Sequence, residues 1–171
     1  MYEKSIHDDS RVRTYLALAM GQTENILFGD VLMNGLNDID LENRIAAIKS
    51  LGSIKYIKSV SNLNNIVISE NSQQERLAAI ISLGQIKDKS SIKILIESLD
   101  DEEANIRWDT AISLYKMDNN YPIITNWSIE QINTGDIRYQ APELYKIGVL
   151  GKILNHSKFK DNTQILTNYI V

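Results

Sequence analysis

The sequence repeats itself with a period of about thirty-one residues. Four segments align without gaps: VRTYLALAMG, NRIAAIKSLG, ERLAAIISLG and IRWDTAISLY. Each carries an arginine near its start, and these arginines are separated by 31, 32 and 31 residues: Arg13, Arg44, Arg76 and Arg107. Eight residues later the first three copies have a glycine (Gly21, Gly52, Gly84), and the fourth has Tyr115. A fixed period of this length is typical of chains that stack one structural unit repeatedly.

Each copy has the pattern of a short helix. Apolar or small residues recur at spacings of three and four, which gives a helix one buried side: Val12, Leu16, Ala19 and Met20. The repeated glycine is expected in the left-handed conformation that ends many helices. A weaker fifth copy, APELYKIGVLG, has Gly151 in the glycine place and Glu143 where the arginine is expected. The sequence therefore predicts arginine-bearing helices, called B helices, near residues 9–21, 41–52, 73–85, 104–117 and 141–153.

Second helical segments, called A helices, lie between these copies, near residues 24–36, 55–68, 89–99, 121–133 and 160–171. SIKILIESL, for example, has the 3.6-residue apolar rhythm of a helix. Acidic turns follow the A helices, as at Asp100 to Glu103. Neither helix of a unit can bury its apolar side alone, so neighbouring units must stack. The predicted fold is all-α: an α-solenoid of about five helical hairpins in a single domain of residues 1–171.

The recurring order of acidic turn, arginine, alanines and Leu-Gly resembles HEAT repeats of the short bacterial type, the PBS-lyase HEAT-like repeats. The resemblance extends from about Asp8 to Val171. It implies a scaffold or binding surface, since proteins of this family serve mostly in that way. It also implies that the arginines form a structural ladder that ties adjacent repeats together, through the acidic turn or the carbonyl groups of a neighbouring repeat: Arg13, Arg44, Arg76 and Arg107.

In the same family, the first and fifth residues after the arginine point into a concave inner surface, here called the B face. In this chain most of these positions are large and apolar: Thr14 and Leu18, Ile45 and Lys49, Leu77 and Ile81, Trp108 and Ile112. An exposed apolar stripe of this kind usually marks an interaction site, and Tyr15 and Asp109 are expected to supply polar groups at its rim. The alternative is that these side chains pack against neighbouring B helices as core. We favour the interaction.

Composition excludes several classes of function. There is no cysteine, and the two histidines, His7 and His156, have no partner at metal-ligand spacing, so neither a metal site nor a cofactor is predicted. With 18 basic and 22 acidic side chains the net charge is −4, which argues against a nucleic-acid partner. No apolar run approaches the ~18–20 residues that cross a bilayer. We therefore expect no membrane partner and a cytoplasmic location, and the repeat style suggests a bacterial source.

The predicted function is a non-enzymatic scaffold or adaptor that binds a helix or extended peptide of another protein on the B face. Self-association through open solenoid ends is a further expectation, because terminal repeats leave apolar surface uncovered. Two alternatives stay open. Phycobilin lyases are built from similar repeats, so a chromophore-binding subunit is one, with Trp108, Tyr15 and Tyr115 as stacking residues. A HEAT-like DNA glycosylase is the other, disfavoured by the net negative charge.

Overall fold

A computed structural model describes residues 9–69 and 72–118 of the chain. Within these ranges the protein is entirely helical, as predicted, and the helices are α1 Ser10–Gln22, α2 Gly29–Gly35, α3 Leu41–Ser53, α4 Val60–Ile68, α5 Gln73–Ile86, α6 Ile92–Glu97 and α7 Ala104–Asp118. A short 3-10 turn precedes each A helix, at Ile26–Phe28, Ile57–Ser59 and Lys89–Ser91, and another, Ser98–Asp100, follows α6. The predicted helices at 121–133, 141–153 and 160–171 lie outside the described residues.

The B helices stack in order. Helix α1 packs on α3, α3 on α5, and α5 on α7, while α2, α4 and α6 each pack against the B helix that follows. The B helices run parallel and in register, since the hydroxyl of Thr14 donates to the side chain of Asn43, 29 residues later, at 2.7 Å. The same register brings Ser50, 33 residues after Ala17, onto the carbonyl of that alanine. This is the predicted α-solenoid of helical hairpins.

Acidic and hydroxyl side chains determine where the B helices begin. Asp9 precedes α1 and accepts from the backbone N–H of Arg11 at 2.9 Å. Asp40 precedes α3 and accepts from the N–H of Glu42 at 3.0 Å. Ser72 forms a capping box with Glu75 at the start of α5. The acidic turns of the sequence therefore satisfy backbone N–H groups that the first helical turn leaves without partners.

The expectation that the repeated glycine ends the B helix in a left-handed conformation is wrong. Gly21, Gly52 and Gly84 lie inside α1, α3 and α5, and none of them has a positive φ. The left-handed residues come three positions later in each repeat, and none is glycine: Glu24 (φ 53°), Lys55 (φ 53°) and Lys87 (φ 63°). The glycine therefore has a different role.

That role is close packing between successive B helices. A Cβ added at Gly21 would lie 2.9 Å from the Cα of Ser50, and one at Gly52 would lie 2.7 Å from the Cα of Ser82. These distances are shorter than real side chains allow, so only glycine lets the two backbones approach this closely. The short distance also lets the facing serines form hydrogen bonds to the preceding B helix. Ser50 Oγ donates to Ala17 O at 2.7 Å, and Ser82 Oγ donates to Ile48 O at 2.9 Å.

The core lies between the two rows of helices. Its largest fully buried side chains are apolar residues of both the A and the B helices: Leu32, Ile48, Leu51, Leu63, Val67, Ile80, Leu83, Leu95, Ile106 and Leu114. Burying such side chains is the main favourable term in folding, at about 1.5–3 kcal/mol for each. Each hairpin contributes to this one layer, so the B helices are held at fixed spacing and their outward side chains form regular rows.

Candidate functional site

The B face contains two rows of side chains that differ in their exposure to solvent. The first-position row comprises the residues directly after the four arginines: Thr14, Ile45, Leu77 and Trp108. The fifth-position row comprises the residues one turn further along: Leu18, Lys49, Ile81 and Ile112. Because the B helices are parallel and in register, each row crosses the stack with one residue per repeat.

The first-position row is largely inside the protein. Ile45 and Trp108 are 7% and 8% exposed, so the expectation that these two belong to an exposed apolar stripe is wrong. The physical reason is seen at Thr14, whose hydroxyl donates to Asn43 on the next B helix: there the first position lies against the neighbouring helix and not toward solvent. Leu77 and Thr14 are half-buried.

The fifth-position row stays accessible. Leu18 is 37% exposed, Lys49 is exposed, and Ile81 and Ile112 are half-buried. Tyr15, 70% exposed, lies three residues before Leu18 and therefore on the same side of α1. Asp109, half-buried, has the same relation to Ile112 on α7. The accessible part of the predicted surface is thus a row of three apolar side chains and one lysine, with Tyr15 and Asp109 beside its two ends.

Of the four arginines at the starts of the B helices, three bind a carboxylate of the next repeat. Arg13 donates twice to the carboxylate of Asp38, from Nε at 2.8 Å and from an Nη at 3.0 Å. Arg76 donates once to the carboxylate of Asp101, 25 residues later, from an Nη, and its Nε donates to the carbonyl of Val67 at 2.9 Å. Two-point contacts between guanidinium and carboxylate are strong and orient both groups.

Arg44 and Arg107 complete a connected series. Arg44 donates to the carboxylate of Glu75 at 2.6 Å and to the backbone carbonyl of Asp38 at 2.8 Å. Arg107 donates to the carbonyls of Asp101 and Glu102, the second at 2.8 Å. Asp38 and Asp101 therefore each bind one arginine by the carboxylate and the next by the main chain.

These bonds set the protonation of the carboxylates. Burial raises the pKa of Asp38, but hydrogen bonds from Arg13 and from the backbone of Asp40 outweigh it, and the net pKa is below the ordinary value. Burial likewise raises the pKa of Glu75, and bonds from Arg44 and Ser72 bring it below the ordinary value. Both groups are held as anions by structural partners.

One contact between repeats was missed by the sequence reasoning. Tyr56 is 6% exposed, packs on Gly29, and donates its hydroxyl to the carboxylate of Asp30. That hydrogen bond and burial raise the pKa of the tyrosine. The signal was present in the sequence, because Tyr56 occupies the place where the neighbouring repeats have Asn25 and Asp88, and an aromatic ring in a polar turn position calls for a packing partner.

Two kinds of structure are absent from the described ranges. Residues 9–69 and 72–118 contain no group of three or more histidine, cysteine or acidic side chains arranged to hold a metal ion. In the same part of the chain, no helix has the length and apolar character needed to cross a membrane.

Comparison with known proteins agrees with the repeat assignment. No curated protein matches this chain. Residues 60–123, which include helices α4 to α7, match the family model described as HEAT repeats. The prediction of HEAT repeats is thereby confirmed for residues 60–123.

Proposed function

We propose that this protein is an interaction module, a scaffold or adaptor whose B face binds a helix or extended peptide of a partner protein. The observation that carries the proposal is the fifth-position row, in which three apolar side chains and one lysine remain accessible at the same place in four successive repeats. HEAT repeats generally mediate contacts between proteins, and stacked repeats offer extended surfaces for that purpose.

The regularity of the row supports a protein partner. Helices packed side by side are about 8–10 Å apart, so four repeats place their side chains along roughly 25–30 Å of surface. A peptide segment crossing the B helices meets one side chain in every repeat. Covering Leu18, Ile81 and Ile112 would remove apolar surface from water, at about 25 cal/mol for each Å².

We propose further that the module acts by binding alone, without catalysis. The carboxylates with lowered pKa in the described residues are engaged in structure: Asp38 and Glu75 bind arginines, and Asp88 accepts from Ser90 in the turn before α6. Groups prepared for catalysis normally face a cleft where a substrate can reach them.

Capture from a cell extract with three forms of the protein tests the proposal. Leu18→Glu places a charge within the fifth-position row, at an already exposed position. Ile39→Glu is the control: it introduces the same charge outside the row, at a residue that is 94% exposed in the turn before α3. We expect proteins retained by the wild type to be lost with Leu18→Glu and kept with Ile39→Glu. Equal retention by all three forms would contradict a binding role for the B face.

The finer predictions from the sequence belong to the same proposal. They are the short bacterial repeat type, a cytoplasmic location, the absence of nucleic-acid and membrane partners, and self-association through the ends of the stack. Light scattering over a range of concentrations tests self-association, which predicts a mass that rises above that of the monomer.

A further inference from the structure

Asn34 is the only asparagine of the chain that precedes a glycine, Gly35. In such a pair the backbone nitrogen of the second residue can attack the side-chain amide carbon of the asparagine and close a five-membered ring. Glycine permits this attack because it has no Cβ beside the nitrogen that must approach. Asn34 is exposed, so water can reach the ring once it has formed.

The structure places this pair where a helix ends. Asn34 and Gly35 are the last two residues of α2, and a helix of only seven residues depends on packing for its stability. Their carbonyls accept turn hydrogen bonds from the N–H groups of Asn37 and Asp38, each at 3.2 Å. Helix ends fray, and local opening there needs little free energy. The attack requires such an opening, because in a closed helix the N–H of a residue points toward the carbonyl four positions earlier.

The reaction needs only water and a base. The Gly35 nitrogen loses its proton to the base and bonds to the side-chain amide carbon of Asn34, and the bond from that carbon to the amide nitrogen breaks with release of ammonia. Water then opens the cyclic imide at one of its two carbonyls. Opening at the former side-chain carbonyl leaves aspartate at position 34. Opening at the former main-chain carbonyl leaves isoaspartate, whose main chain passes through Cβ and is one carbon longer.

Isoaspartate at this position changes the turn that leads to Asp38. The former main-chain carbonyl of Asn34 becomes a free carboxylate, so the group that accepts from Asn37 no longer lies in the main chain. Asp38 follows one residue later, and it binds Arg13 by its carboxylate and Arg44 by its carbonyl. A longer main chain before Asp38 displaces it from the place that suits both arginines.

We propose that Asn34 and Gly35 form a site of spontaneous deamidation, and that the isoaspartate product weakens the link that Asp38 makes between α1 and α3. The change adds one negative charge and one main-chain carbon at a single place. It is irreversible without a repair enzyme, so modified protein accumulates with time.

Incubation in mildly alkaline buffer, followed by peptide mass mapping, tests the modification. We expect the peptide that contains Asn34 to gain the mass difference between an amide and a carboxylic acid. The folded chain should react about tenfold more slowly than the urea-unfolded chain, because the last turn of α2 must open first. No gain of mass at Asn34 in the folded chain, under conditions that modify the unfolded chain, would overturn the proposal.

Two variants control for the chemistry. Asn34→Gln should stay unmodified at this position, because its longer side chain would have to close a less favourable six-membered ring. Asn62→Gln is the matched control, since Asn62 is an exposed asparagine of α4 that precedes Leu63; it should react at Asn34 at the wild-type rate. Equal modification of the peptide in Asn34→Gln would assign the gain of mass to another residue and overturn the site.

Urea unfolding of the modified fraction, separated by anion exchange, tests the structural consequence. We expect this fraction to unfold at a lower urea concentration than the wild type. Asn34→Asp carries the same added charge on an unchanged main chain and should lose less. In Asp38→Asn, which lacks the carboxylate that Arg13 binds, the same modification should lower the midpoint by less than it does in the wild type. A modified fraction as stable as Asn34→Asp, or an equal loss with Asp38→Asn, would overturn the weakening through Asp38.

Discussion

Arg13 donates two hydrogen bonds, of 2.8 and 3.0 Å, to the carboxylate of Asp38, although the two residues are 25 positions apart in sequence. The side chains are only 14% and 10% exposed, so water screens the pair weakly. The carbonyl of the same Asp38 accepts from Arg44. One residue of the acidic turn therefore connects two consecutive B helices.

Replacing Asp38 by asparagine should destabilise the protein by about 1–3 kcal/mol, because Arg13 keeps its charge in a partly buried place and loses its anion. Urea unfolding measures the difference. The control is Glu97→Gln, which removes the partner of Lys93 in an exposed pair with side chains 88% and 62% exposed. That change should cost less than about 0.5 kcal/mol, and equal losses from the two variants would contradict the difference in burial.

Stability should fall in acid because the pKa values of Asp38 and Glu75 are lower in the folded protein than their ordinary values of 3.8 and 4.5. A depressed carboxyl pKa stabilises the fold at any pH above the unfolded value, and the contribution disappears as pH falls through the folded value. Urea unfolding between pH 6 and about pH 2.5 follows the loss. The double variant Asp38→Asn, Glu75→Gln should show a shallower decline below pH 4.5; a parallel decline would assign the acid sensitivity to other groups.

Gly52→Ala should destabilise the protein by about 1–3 kcal/mol through overpacking, although alanine favours helix over glycine by about 1 kcal/mol. The new Cβ would meet the backbone of Ser82 on the next B helix. Thermal unfolding measures the result. Ser61→Ala, at an exposed position within α4, is the comparison and should change stability by less than about 0.5 kcal/mol. A stabilised Gly52→Ala would show that the helices can move apart at no cost.

Trp108→Ala should destabilise the protein by about 3–5 kcal/mol, because it removes a large side chain from the interior and leaves a cavity. Tyr15→Ala, at a residue that is 70% exposed, should change stability by less than about 0.5 kcal/mol. Thermal unfolding of the two variants distinguishes the interior side chain from the surface one. Little change in the stability of Trp108→Ala would contradict the burial of Trp108 and indicate that its side chain is accessible on the B face.

The period of the sequence was enough to predict a stack of helical hairpins, because equal spacing of arginine, alanine and glycine requires equal units. The period was not enough to assign the structural role of the repeated glycine. A glycine near a helix end fits both a left-handed ending and a close approach of two backbones, and the sequence pattern of Gly52 is the same in both cases. The distance to Ser82 on the next helix decides between them, and that distance is a tertiary property.

The candidate site also depends on tertiary contacts that the sequence pattern does not reveal. Periodicity placed Ile45 and Lys49 one turn apart on α3, but side chains one turn apart differ in burial when a neighbouring helix covers only one of them. Similarly, the spacing of the arginines predicts that they bind nearby acidic turns. It does not tell that Arg44 binds Glu75 whereas Arg13 binds Asp38, since that choice depends on the geometry of each turn.

The arginine bonds join the B helices near their first turns, and the left-handed residues Glu24, Lys55 and Lys87 follow their last turns. The two ends of the B helices are therefore joined by different chemistry: ion pairs near the first turn, and glycine–serine contacts with buried hydroxyl hydrogen bonds near the last. We expect acid to separate the stack first at the end with the ion pairs, because protonation removes the charge of Asp38 and Glu75 whereas the serine hydroxyls do not titrate.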